Sequence, residues 1–161
     1  MNNTSDRTFL NEIFNSLRPD QRQGILMVDE IYVKASLLYH GGTVFGSAVN
    51  DPSSLASSML GIMINCVMGG PSFLFKMLPV KGMDSQFLYD QVNNTIDLIK
   101  SSNSKIISII CDGNRINQSF FKKFETQPER PWLTVDNMFL LFDFVHLIKS
   151  IRNNWLTEKN R

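Results

Sequence analysis

Cysteine is scarce in this chain, and so is any excess of one charge. The only two cysteines, Cys66 and Cys111, lie far apart, each inside an apolar run (INCVM and IISIICD). Neither a disulfide framework nor a zinc site with paired cysteines fits that usage, which reads as two buried thiols in a reducing compartment. The net charge is +1, so the global basic field that announces a stand-alone nucleic-acid binder is missing. Cations gather only locally, at Lys122 and Lys123 and again at Lys149, Arg152, Lys159 and Arg161. No apolar run reaches the roughly 18 residues needed to cross a bilayer. The polar start MNNTSDRTF lacks the basic-then-apolar order of a signal peptide. A nuclear or cytoplasmic location is expected, with no membrane partner. Neither G-x-G-x-x-G nor G-x-x-x-x-G-K-[ST] occurs, so no phosphate-cradling nucleotide loop of either kind is expected.

What is present is an ordinary globular composition, 43% hydrophobic and 19% charged, in a chain long enough for one domain with a real core. Residues 1–3 read as disordered. Helical spacing of Phe9, Leu10, Ile13, Phe14 and Leu17 predicts a helix over 6–17, ended by Arg18 and Pro19. Three strand-like segments follow, 25–32, 33–40 and 43–49, with Gly41 and Gly42 as a hairpin turn, and they predict an antiparallel meander. Asp51 and Ser53 predict the start of a helix reaching about 67, with Leu55, Met59, Leu60, Met63, Ile64 and Val67 as its core stripe. Beyond it a strand is expected over 72–80 and an amphipathic helix over 84–100. A strand buried on both faces (KIISIIC, 105–111) comes next, then a helix over 114–124. A loop containing Pro128 and Pro131, an apolar segment over 138–142 and a helix from Asp143 complete the order. A meander followed by alternating helices and strands implies a mixed α/β sheet with helices on both faces.

The chemistry concentrates on carboxylates. Asp29 interrupts the apolar stretch GILMVDEIYVK, where an unpaired buried acid is costly unless it meets a cation or a hydrogen-bond donor. Glu30 would point to the opposite face as a surface or salt-bridged residue. Asp112 ends the KIISIIC strand, and in α/β sheets ligands bind beyond the carboxyl ends of strands. Taken alone, Asp112-Gly113 reads more readily as a turn, and Asp143 as a helix N-cap. Two acids on neighbouring strands, however, make a natural site for Mg²⁺, whose hard oxygen ligands they would supply in phosphodiester chemistry.

Three blocks sharpen this reading. MVDEIYVKASLLYHGGTVFG resembles the first-strand block of the P-element and THAP-type transposases. IISIICDGNRINQSFF is similar to their second block, with Asn117 a few residues after the CDG. FLLFDFVHLIKSIRNNW is similar to the third, a D-x-x-H-L-x-K-x-x-R-N run. The resemblance implies an RNase H-like fold and a DDE-type transposase that cuts and joins DNA with Mg²⁺ or Mn²⁺. Asp29 and Asp112 match the first two catalytic, metal-holding acids. Asn117, Asp143, His146, Lys149, Arg152 and Asn153 match pattern positions with a structural or DNA-proximal role. Phe144 and Val145 stand where the family usually carries prolines. The zinc-coordinating N-terminal domain, the GTP-binding insertion and the final catalytic Glu of the full-length family are not found in these residues, and Glu158 lies too near the third block to replace that Glu.

The division expected is a helical lead-in over 1–22, an RNase H-like transposase domain over 23–157 and a tail over 158–161. DNA, namely transposon ends, is the partner implied in a full-length context, with self-association left open. GTP belongs only to the full-length family. A chain with two of three acids is expected to be a fragment inactive alone. The alternatives are an inactive domesticated module working through protein or DNA contacts, and an RNase H-like nuclease drawing on Glu30 or Asp143.

Overall fold

The computed structural model describes residues 3–158. Of residues 1–3, expected to be disordered, Asn3 already belongs to the first helix; Met1 and Asn2, the cations Lys159 and Arg161 and residues 159–161 of the tail lie outside the described residues. The elements run α1 (Asn3–Asn15), β1 (Gln23–Tyr32), β2 (Leu38–His40), β3 (Thr43–Phe45), β4 (Ser58–Cys66), β5 (Ser72–Val80), α2 (Ser85–Ser101), β6 (Lys105–Cys111), α3 (Arg115–Phe121), β7 (Thr126–Gln127), β8 (Arg130–Thr134), β9 (Phe139–Phe142) and α4 (Phe144–Glu158). Seven strands form one mixed sheet in the order β5-β4-β1-β6-β9-β8-β7. The β1-β4-β5 part is antiparallel, while β6 and β9 run parallel to β1.

The meander exists, but two of its strands differ from those expected. β4 occupies the segment read as the helix over 51–67. In SMLGIMINC the even positions Ser58, Leu60, Ile62, Ile64 and Cys66 are all buried and the odd ones are not, which is the period-two signature of a strand. Methionine at Met59 and Met63 hid it, because apolar residues on both faces also satisfy a helical stripe. Gly61 in mid-element and two β-branched isoleucines favour the strand physically. The segments over 33–40 and 43–49 shrink to the three-residue strands β2 and β3, a separate hairpin. Its Gly41-Gly42 turn, with both φ positive, is the geometry that glycine pairs supply.

One face of the sheet carries the core. Leu26 and Val28 of β1, Leu60, Ile62 and Ile64 of β4, Leu78 and Val80 of β5, and Ile109 of β6 are nearly or wholly buried there. Leu10 and Phe14 of α1, Leu88, Val92, Ile96 and Ile99 of α2 and Phe120 and Phe121 of α3 join the same cluster. Each such side chain contributes about 1.5–3 kcal/mol on leaving water. Asp84 caps α2 by accepting the Phe87 N–H at 2.7 Å. Beneath α1, Lys76 of β5 is buried 4.0 Å from the Asp6 carboxylate, and burial pushes its ammonium pKa down.

Helices are more one-sided than expected: α1, α2 and α3 share this covered face. On the opposite, open face Met27, Met63, Leu74, Met77 and Leu141 are each about two-fifths exposed. For the same reason β6 is not buried on both faces, and Ile110 is only partly covered.

Candidate functional site

Register builds the site. Val28 of β1 pairs with Cys111 of β6, and Cys111 pairs with Phe142 of β9. The next residue on all three strands is an acid, Asp29, Asp112 and Asp143 in turn. Three acid-bearing positions thus lie side by side on neighbouring parallel strands, about 4.8 Å apart from strand to strand. They sit where β6 and β9 end, the place where α/β sheets bind ligands. The ladder carries one residue further, since the Asp143 N–H donates to the Cys111 carbonyl at 2.7 Å.

Asp29 is not buried, contrary to the expectation from its apolar neighbours. It falls on the open face and is exposed, with Glu30 half-buried on the other side, where its carboxylate accepts the Ser58 hydroxyl. The desolvation cost that made Asp29 puzzling is therefore never incurred. Its Oδ1 accepts the N–H of Glu30, at 2.8 Å. Opposite it on β4 stands Gly61, which puts no side chain beside the carboxylate.

Asp112 is held more firmly. Its Oδ1 accepts the Asn117 side-chain amide at 2.6 Å and the Asn114 backbone N–H at 3.0 Å. Asn117 is buried in α3, and Asn114 is the N-cap of that helix, accepting the Asn117 N–H at 2.9 Å. Asp112-Gly113 is thus both a strand-ending turn and a carboxylate oriented by the helix that follows. The other oxygen, Oδ2, lies 4.0 Å from His146 Nδ1. Burial and then the Asp112 charge push the neighbouring Cys111 thiol up to about 12, so it stays protonated and inert.

Asp143 caps α4: its Oδ1 accepts the Val145 N–H at 2.8 Å and its carbonyl accepts the Leu147 N–H at 3.0 Å. The structure brings Asp112, Asn117 and His146 into one contact set. Lys149, Arg152 and Asn153 are exposed along α4, and Arg152 donates to the Asn153 side chain. Asn114 and Gly61 escaped the sequence reading. The first has a detectable signal in an Asn three residues before Asn117, whereas the role of Gly61 depends on strand pairing alone.

Hard carboxylate oxygens suit a divalent cation, and Asp29 together with Asp112 Oδ2 offers them. Beyond these two the fit is incomplete, because among the described residues no three His, Cys, Asp or Glu side chains converge to hold a metal ion.

The comparisons agree with this architecture. Residues 6–125 match the family model described as TNP-like, RNase H N-terminal domain. No curated protein matches the chain. A solved structure, the Drosophila P element transposase strand transfer complex, superposes with a TM-score of 0.68 at 18% identity, over 89% of this chain and 32% of that one. This chain therefore spans about a third of that chain's length. With the family model covering most of its residues, the chain belongs to the TNP-like RNase H N-terminal domain family, and its fold is similar to that of part of the P element transposase structure.

Proposed function

We propose that this chain is the two-acid part of a metal-dependent DNA transposase site, with Asp29 and Asp112 as the acids that hold Mg²⁺ or Mn²⁺. The observation that carries the reading is their common register, Asp29 within β1 and Asp112 just past the end of the adjacent parallel β6, one open to solvent and the other oriented by Asn117. A cation bound there would polarise a phosphodiester and favour its attack by an oxygen nucleophile. The chain's own contribution is to fix that position: Asn117 and Asn114 aim Asp112, while Gly61 leaves room beside Asp29. His146 Nδ1 stands 4.0 Å from Asp112 Oδ2, beside the same position. DNA is the substrate class proposed, with a nuclear site of action. The net charge of +1 makes affinity weak and strongly salt-dependent.

Two carboxylates alone bind Mg²⁺ weakly, so these residues are not expected to cleave DNA unaided. That observation also favours a second reading, an inactive module retaining the fold and acting through protein or DNA contacts. Calorimetric titration of Mg²⁺ and Mn²⁺ separates the two. The metal-site reading predicts binding in the parent chain that is lost in both Asp29→Asn and Asp112→Asn. Absence of binding in the parent chain would leave only the inactive module.

A further inference from the structure

The segment that leaves β1 just after Asp29 and Glu30 is unlike the rest of the chain. From Ile31 to Asn50 it carries no aspartate or glutamate, while Lys34 and His40 are present. Tyr32, Leu38, Tyr39, Val44 and Phe45 within it are each more than half exposed. In the β2-β3 hairpin Leu38 pairs with Phe45, Tyr39 with Val44 and His40 with Thr43. Successive pairs point to opposite faces of such a ribbon, so Leu38 and Phe45 stand on one face and Tyr39 and Val44 on the other. Both faces are apolar and both are open, whereas a ribbon that only lies against a protein surface needs one such face.

The ribbon is held firmly at its root. The Ala56 N–H donates to the Gly46 carbonyl at 2.8 Å, and the Ala48 and Val33 N–H groups donate to the Ser54 and Ser57 carbonyls at 2.9 Å. Ala48 and Ala56 are buried there. Gly46 has a φ of +118°, and a Cβ on it would lie 2.1 Å from the Ser36 carbonyl oxygen, so the two sides of the neck meet backbone to backbone, as only glycine permits. The hairpin thus projects as a fixed piece of structure. Val33, at its root, lies four residues beyond Asp29, about 13 Å along an extended strand. It stands at the carboxyl end of β1, the end at which Asp112 and Asp143 follow the parallel strands β6 and β9.

Unpaired bases suit such a ribbon. Every base has a face on which an aromatic ring can stack, apolar side chains part neighbouring base steps, and a stretch without carboxylates imposes no repulsion on phosphates. We infer that the β2-β3 hairpin engages unpaired bases of a DNA strand that runs past Asp29 and Asp112, with Tyr39 and Phe45 as stacking platforms on its two faces. The choice of DNA as occupant rests on the role proposed for those two acids, but the contact itself needs neither carboxylate nor cation.

Fluorescence anisotropy of two fluorescein-labelled oligonucleotides, a single strand and a blunt duplex of the same length, tests this with the full chain at low salt and in EDTA. Low salt favours weak contacts with DNA, and EDTA removes any cation from the measurement. The parent chain is expected to bind the single strand with a Kd at or below about 100 µM, about tenfold more tightly than the duplex. Tyr39→Ala and Phe45→Ala should each weaken single-strand binding about tenfold and leave duplex binding as it was. Tyr39→Phe, which keeps the ring, should bind like the parent. Both side chains are exposed, so far-ultraviolet circular dichroism should be unchanged. Asp29→Asn should also bind like the parent in EDTA, so a failed metal titration counts against the two acids and not against the hairpin. Absence of single-strand binding, equal affinity for strand and duplex, or indifference to both alanine variants would each overturn the inference; the last would give the hairpin's apolar faces to a protein instead.

Discussion

The two faces of the central sheet are made by the same strands, residue by alternate residue, yet they serve opposite ends. On the covered face Leu26, Leu60, Ile62, Ile64 and Ile109 have no accessible surface, and three helices close over them. On the open face Met27, Met63, Leu74 and Leu141 keep about two-fifths of theirs, and Asp29 shares that face. Stability therefore comes from one side, and the other is left for an ionised carboxylate that needs no burial. A strand residue changes role completely when it moves one place along the chain.

The sharpest way to break this contrast is to truncate neighbours on opposite faces. Ile62→Ala opens a cavity in the covered core and should cost about 2–5 kcal/mol. Met63→Ala, the next residue, should cost less than about 1 kcal/mol because its side chain is already half in water. Urea denaturation measures both, and equal losses would refute the one-sided core.

Next in size is the support of the site. Asn117→Ala removes a buried donor to a charged oxygen and should cost about 2 kcal/mol. It should also weaken any Mn²⁺ binding by about 10-fold or more, the usual effect of losing a group that orients a metal ligand. Calorimetry and denaturation on one sample read both effects.

The polar intrusion into the covered face gives a smaller, positive change. Replacing buried Lys76 and its partly exposed partner as Asp6→Leu with Lys76→Met should raise stability by about 1 kcal/mol. Burial lowers the Lys76 pKa in the folded chain relative to its usual 10.5, so the unfolded chain binds the proton more tightly. Parent stability should therefore rise with pH between the lowered value and 10.5, and this rise should vanish in the double variant. Thermal melts across alkaline pH test the sign. Smallest of all, Gly61→Ala meets only ordinary van der Waals neighbours and should stabilise the chain by about 0.5 kcal/mol through the unfolded state.

Much of this organisation was legible in the amino-acid order. KIISIIC with its terminal Asp112, the Asp84-capped helix and the Gly41-Gly42 turn each carry a local signal strong enough to survive tertiary packing. β4 did not, because Met59 and Met63 put apolar side chains on the open face and blurred the alternation. Asp29 stands out in the sequence as an acid in an apolar stretch, but the burial expected for it does not occur: Val28 is buried, and Asp29, one place on, is exposed. Asn117 stood in the sequence as a pattern position, and only the turn of α3 showed that its amide reaches Asp112. The common register of Asp29, Asp112 and Asp143 is a property of pairing between distant segments, which no local pattern encodes.

The most direct test of the metal site proposed at Asp29 and Asp112 is an NMR titration with Mn²⁺, whose paramagnetism broadens nearby amide signals. The account predicts that broadening begins at Asp29, Asp112 and their immediate neighbours, and that Asp29→Asn abolishes it. Broadening centred elsewhere, or unchanged in Asp29→Asn, would contradict a cation shared by these two acids.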